Sequence, residues 1–218
     1  MGRPIKYPVN NNYFDEWSAN MAYILGFIIT DGCITTNNKG ETFRLEFNIK
    51  DKEILEYIRD ILSPTRPIFT KIRYRKGTSC TGHTLRISIN QHLVDILNKY
   101  GICCRKTGKE VCPDYIPKEF FTDYFRGIFD GDGCIRIAKN HNIFSARFKI
   151  TSASKIFLEQ LNKHLNNKLN VYHRITENIY DLCSNNKINI KYLYNLMYNN
   201  NNFCLQRKKD IFQKAIML

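Results

Sequence analysis

The chain has 218 residues, with 33 Lys and Arg against 20 Asp and Glu, a formal charge of +13 and a pI near 9.4; this balance points to a polyanionic partner. Hydrophobic residues make up 43%, enough for one large or two small cores, which excludes a disordered chain. No apolar run reaches a membrane span, the first twelve residues hold no signal-peptide core, and no basic amphipathic helix stands out, so an intracellular protein of cytoplasm, nucleoid or organelle is expected, neither secreted nor membrane-bound.

The eight cysteines include no Cys-x-x-Cys, and His83, His92, His141, His164 and His173 are scattered. Zinc and histidine-nuclease chemistry are therefore not expected, and the thiols read as reduced. Asparagine runs at Asn10–Asn12 and Asn199–Asn202 read as loops.

Residues 1–16 form an extension with Pro4 and Pro8, basic at Arg3 and Lys6; it is either a solvated tail or an arm following a polyanion's backbone. Ser18 can cap a helix in which Trp17, Met21, Ile24 and Ile28 follow helical spacing, widened by Leu25 and Ile29. That helix ends at Asp31-Gly32, and a left-handed glycine is the usual exit. Cys33–Thr36 reads as a strand and 37–40 as a turn. In 44–50 the alternation is strict: Leu45, Phe47 and Ile49 face a core, while Arg44, Glu46, Asn48 and Lys50 face away. A helix with Ile54, Leu55, Ile58, Ile61 and Leu62 stops at Ser63-Pro64. In the next hairpin Lys71, Arg73 and Arg75 share one face and Ile72 and Tyr74 the other; Leu85, Ile87 and Ile89 point inward, and Arg86, Ser88 and Asn90 outward. Residues 91–100 form a short helix, and 105–116 a linker between domains at 17–104 and 117–218.

The second half repeats the plan. Pro117 opens a helix carrying Phe121, Phe125 and Ile128. Cys134–Ala138 pairs with Ile143–Thr151, a helix contains Ile156, Phe157, Leu161 and Leu165, a hairpin lies within 170–184, and helices follow at 190–198 and 207–217.

The segments 24–32 and 125–133 are in register at one offset: Gly26 with Gly127, Thr30 with Gly131, Asp31 with Asp132, Gly32 with Gly133. Both helices are apolar nearly all round, as buried helices are. Gly26 with Thr30, and Gly127 with Gly131, give the small-xxx-small spacing that lets two backbones touch. If the helices pair in parallel, Asp31 and Asp132 end side by side at two negative helix termini, where a divalent oxygen-binding cation such as Mg2+ suits the field. Paired metals of this kind stabilise both oxygens of a phosphodiester displacement.

The two segments resemble the paired motifs of the LAGLIDADG homing endonucleases, whose single-chain members carry two copies. The second copy is close to the family pattern, and the first departs at Ile29, where Asp130 stands in the second. The resemblance implies an α+β fold of two pseudo-symmetric αββαββα halves. Their antiparallel sheets form a saddle on double-stranded DNA, and the motif helices pack at the interface. It implies a monomeric endonuclease of the intron or intein homing type that cuts both strands of a long asymmetric site. Mg2+ is the expected cofactor, with Mn2+ able to substitute and Ca2+ supporting binding without cleavage. Metal would be held by Asp31 and Asp132 with Thr30 and Gly131. Asn48, Lys149, Lys106 and Lys208 would assist, with Lys209 competing for the place of Lys208. DNA-binding candidates are the outward residues Arg44, Glu46, Asn48, Lys50, Lys71, Arg73, Arg75, Arg86, Ser88 and Asn90, then Arg136, Arg147, Lys149, Thr151 and Arg174, since strands enter a major groove and such side chains read base edges. The rival class is a non-catalytic binder of the same fold or a maturase acting on intron RNA.

Overall fold

A computed structural model describes residues 6–37, 40, 42–75, 78–141, 143–200 and 202–217. The expected arm residues Arg3 and Pro4, the turn residues Asn38, Lys39 and Gly77, and the side chains of Arg73 and Arg75 lie outside that description. In chain order the elements are α1 (Ala19–Asp31), β1 (Cys33–Thr36), β2 (Phe43–Ile49), α2 (Lys52–Leu62), β3 (Phe69–Arg75), β4 (Thr78–Ile89) and α3 (Gln91–Lys99). The repeat follows as α4 (Lys118–Asp132), β5 (Gly133–Asn140), β6 (Ile143–Ser152), α5 (Lys155–His164), β7 (Asn170–Arg174), β8 (Ile179–Ser184) and α6 (Lys187–Tyr198), with one further helix, α7 (Gln206–Ile216). Both sheets are antiparallel with the same topology, β1-β2-β4-β3 and β5-β6-β8-β7. No helix among the described residues is long and apolar enough to cross a membrane.

By contacts the chain forms two compact units, residues 1–16 with 31–105, and residues 17–30 with 106–218. The body of the first motif helix therefore clusters with the second repeat, not with the strands that follow it.

In the first unit, alternation delivers Leu45, Phe47, Leu85 and Ile87 to one sheet face, where they join Ile54, Leu55, Ile58 and Leu62 of α2 and Leu93 and Leu97 of α3 in the core. Glu53 in the first turn of α2 and Arg59 in its last complement the helix dipole. The extension is not a solvated tail where it is described. Phe14 is fully buried, Ser63 donates to the Pro8 carbonyl at 2.8 Å, the Asn10 N–H donates to Leu62 O, and Arg66 lies over the Tyr7 ring. Ile72 and Tyr74 take the face opposite Lys71 as expected, yet at 51% and 81% exposure they join no core. Asn90 is not an open base-reader either: its Oδ1 accepts the Leu93 N–H at 2.9 Å and caps α3.

The second unit is organised by Phe148 on β6, whose ring lies 5.4 Å from Phe129 and 6.0 Å from Phe212. This links α4, the sheet and α7 in one aromatic cluster worth more than its buried area alone. On α5 Ile156 is 59% exposed, and Phe157, Leu158 and Leu161 carry the buried face.

The α1 and α4 helices touch at their glycines. A Cβ on Gly26 would overlap the Tyr124 carbonyl oxygen, and one on Gly127 would overlap that of Tyr23. Trp17 stacks on Phe120 at the N-terminal ends of the two helices, so the pair runs parallel. Ser18 caps α1 as expected, accepting the Met21 N–H at 3.1 Å. The exits differ from expectation: Gly133 has φ −78° and passes directly into β5, and the described left-handed glycines are Gly40, Gly101 and Gly108. Glycine is needed at 133 for space, because a Cβ there would strike Phe129.

Candidate active site and nucleic-acid interface

Each motif helix ends in its acid, five residues beyond its crossing glycine (26 to 31, 127 to 132). A helix terminus leaves four carbonyls without partners, and here lysines supply them. Lys106 Nζ donates to Ile29 O at 2.7 Å and Thr30 O at 2.9 Å. Lys208 is buried, and its Nζ reaches Phe129 O at 2.8 Å, Asp130 O at 2.7 Å, Gly131 O at 3.0 Å and Gly133 O at 2.8 Å. Placing a cation on the negative end of a helix is favourable. Lys209 instead lies over the Tyr198 ring, which assigns the helix-end position to Lys208. Thr30 and Gly131 are among the residues expected at the metal, and the carbonyl of each accepts from an ammonium.

Asp132 is solvent-exposed as a residue, yet burial of its carboxyl against the helix end raises its pKa above the ordinary carboxylate range. The charges of Lys106 and Lys208 pull it back down, and Glu110 adds a smaller upward push. Glu110, in the connector, is buried, with its Oε2 unpaired among the described residues. Among those residues no three of His, Cys, Asp and Glu converge on one point.

The departure of Ile29 from Asp130 has a structural reason. Asp130 points away from the helix end, and its Oδ2 accepts from Tyr23 Oη at 2.8 Å and the Leu205 N–H at 2.8 Å, tying α1 and the start of α7 to α4. Burial pushes its carboxyl up to about 6, against the opposing pull of these donors, Lys208 and Arg126. A folded pKa above the unfolded one means the protonated form folds better, so this residue's contribution falls as pH rises from about 4 to 6. In chelator, the stability of Asp130→Asn relative to wild type is expected to rise between pH 4 and pH 7, read by chemical denaturation; a pH-independent difference contradicts it. Tyr23→Phe is expected to cost about 1–3 kcal/mol by stripping one donor from a buried acceptor.

The sheet faces follow from register. Glu46 lies opposite Arg86, Arg44 opposite Ser88 and Asn48 opposite Thr84; Lys71 lies opposite Gly82, so β3 presents Lys71 on the same face. Arg44, Asn48, Lys50, Lys71, Arg86 and Ser88 are exposed, and Arg86 pairs with Glu46 at 3.0 Å. In the second sheet Arg136 faces Arg147, Cys134 faces Lys149, and Thr151 faces Asp181. Arg136, Arg147, Lys149 and Arg174 line an open cavity of about 570 Å³ with Cys134, Tyr172 and Asp181.

A family model described as LAGLIDADG-like domain matches this chain twice, over residues 18–101 and 119–204. The chain belongs to this family. Its fold is similar to that of the homing endonuclease I-WcaI bound to its DNA recognition sequence, with TM-score 0.65 and 17% identity, over 97% of this chain and 94% of that one. It is also similar to I-DmoI in complex with DNA and Mn, with TM-score 0.52 and 15% identity, over 84% and 98% of the two chains. A probable translation initiation factor IF-2 from Methanocaldococcus jannaschii is 25% identical over 99% of this chain, which spans 18% of that protein's length.

Within the two LAGLIDADG repeats, Asp31 and Asp132 hold matching positions, whereas Lys106 and Lys208 fall outside both matched segments. Three groups escaped the sequence reading. Glu110 sits in a segment without periodicity. Arg126 looks like an ordinary helix-surface residue, yet it is 1% exposed, paired with Asp123 at 2.5 Å and donating to Met197 O and Phe203 O. Asp181 lies on a strand whose burial is continuous at its end. Arg126 has a readable signal, because a cation between Phe125 and Gly127 at the crossing of a buried helix must be paired.

Proposed function

We propose that this chain is a site-specific, divalent-metal-dependent DNA endonuclease that cuts both strands of a long duplex target as a single chain. The observation that carries the reading is the repeated helix end: an acid at the tip of each of two parallel motif helices, each terminus held by a lysine. The family assignment, the cationic sheet faces, and DNA bound in structures of similar fold support it.

The donor set fits a hard cation. Asp132, on a solvent-exposed residue, offers a carboxyl group at a negative helix terminus, and Mg2+ is commonly held by one or two carboxylates plus water and substrate phosphate. Asp31 and Asp132 would hold the metal, Mg2+ with Mn2+ as substitute, and Ca2+ would support binding alone. When bound, the metal supplies Lewis-acid stabilisation of charge on the phosphoryl oxygens. The protein's own part is positional: Lys106 and Lys208 fix the helix ends, and their charges oppose the upward push of burial on the Asp132 carboxyl. Lys208, engaged by four carbonyls, acts through its charge rather than as a mobile proton donor. Asn48 and Lys149 project from the outward sheet faces toward substrate. The match to a fifth of a translation factor fits a homing element carried inside another protein, and translation-factor activity is not carried over with it.

Phosphate contacts should dominate binding. Log affinity for duplex DNA is expected to fall with log salt at about 0.9 per phosphate neutralised, with roughly six or more phosphates involved. Fluorescence anisotropy from low to moderate salt checks this. A flat response contradicts the reading, and tighter binding of structured RNA favours the maturase alternative.

A further inference from the structure

One carboxylate lies at the floor of the cationic cavity of the second sheet. Asp181 is 4% exposed, and register points it to the same face as Thr151 and Tyr172. Its Oδ1 accepts from Thr151 Oγ1 at 2.7 Å, with Lys149 Nζ 3.9 Å away. Its Oδ2 is 3.2 Å from Arg174 Nε, an ion pair lacking hydrogen-bond geometry. Arg174 is also gripped from the far side, its Nη1 donating to both Glu177 oxygens at 2.9 Å.

The first sheet places its outward acid elsewhere, Glu46 pairing with Arg86 at 3.0 Å, and carries none at the equivalent position. Leu85 pairs with Phe47 as Ser184 pairs with Phe148, so three residues earlier Gly82 corresponds to Asp181. Gly82 has no side chain with which to hold the Lys71 opposite.

We propose that Asp181 is a specificity-positioning residue: it fixes Arg174 and Lys149 on the base-reading face of the second unit. This rests on the DNA-binding function proposed above. Long cationic side chains pay rotamer entropy on ordering, and one ordered beforehand pays less. A cation held in one geometry also reaches a base edge selectively, where a free one settles on any phosphate. The carboxylate further lowers sequence-independent attraction by neutralising part of the cavity's charge.

The test is binding selection from a randomised duplex pool in Ca2+, comparing wild type with Asp181→Asn, which keeps the size and the acceptor for Thr151. The variant is expected to lose about tenfold in discrimination at base pairs read by the second unit, the scale of one base contact. Discrimination elsewhere should hold, and affinity for unrelated duplex should rise with a steeper salt dependence. A merely structural role would instead lower specific and non-specific binding together, and that result overturns the inference. A wild-type preference retained unchanged in Asp181→Asn overturns this inference alone; a wild type without sequence preference overturns it together with the proposed function.

Discussion

Asp132→Asn is expected to bind duplex DNA in Ca2+ as well as wild type, while cutting in Mg2+ slows by roughly a hundred- to ten-thousand-fold, equivalent to about 3–5 kcal/mol of transition-state stabilisation. Asp132 is exposed, so Asn replaces it without disturbing the core, and Lys208 retains its four carbonyls. What disappears is the negative charge that would attract the cation. Asp31→Asn is expected to behave alike, because the two acids occupy equivalent positions on their helices. Quenched-flow cleavage and anisotropy on the same duplex separate the two effects. Loss of binding in step with cleavage would assign the acids a DNA-contact or folding role instead.

Gly127→Leu is expected to abolish folding of the second unit. Even a methyl group at Gly127 would overlap the Tyr23 carbonyl, and the obstacle is helix backbone, which cannot rotate aside. The helices would have to separate, opening the cluster of Phe129, Phe148 and Phe212 behind them. Gly127→Ala should itself cost about 2–4 kcal/mol, near the upper range for overpacking. Gly82→Ala is the control: a Cβ there meets only Asn48 Oδ1 at 3.7 Å and the Lys71 carbonyl at 4.0 Å, so its melting temperature should stay near wild type. Thermal denaturation and limited proteolysis distinguish these cases. A cooperative, wild-type-like melt for Gly127→Leu would mean that the helices do not touch as described.

Much of this architecture was legible because two periodicities are clean. Glycine and a small residue four apart marked the faces at which α1 and α4 meet, and strict alternation in 44–50 marked both faces of β2. Alternation reports which side a residue takes, but not how far cover extends over that side, hence the exposed Ile72 and Tyr74. The helix-end cation was narrowed to Lys208 or Lys209, and a one-residue rotation of about 100° on α7 separates the buried amine from one over a tyrosine ring. Asp130 could be seen to break the repeat, but its purpose depends on Tyr23 and Leu205, 107 and 75 residues away. Asp181 was illegible for a related reason: its partners come from β6 and β7, and only register brings Thr151 and Tyr172 opposite it.

The measurement that bears most directly on the proposed function is a cleavage selection on a randomised duplex library with Mg2+, run beside Ca2+ and chelator. A site-specific endonuclease yields double-strand breaks at one enriched, long, asymmetric sequence in Mg2+ or Mn2+, and none in Ca2+ or chelator. Enrichment of bound duplex without breaks in any divalent metal, or breaks that persist in chelator, would contradict it.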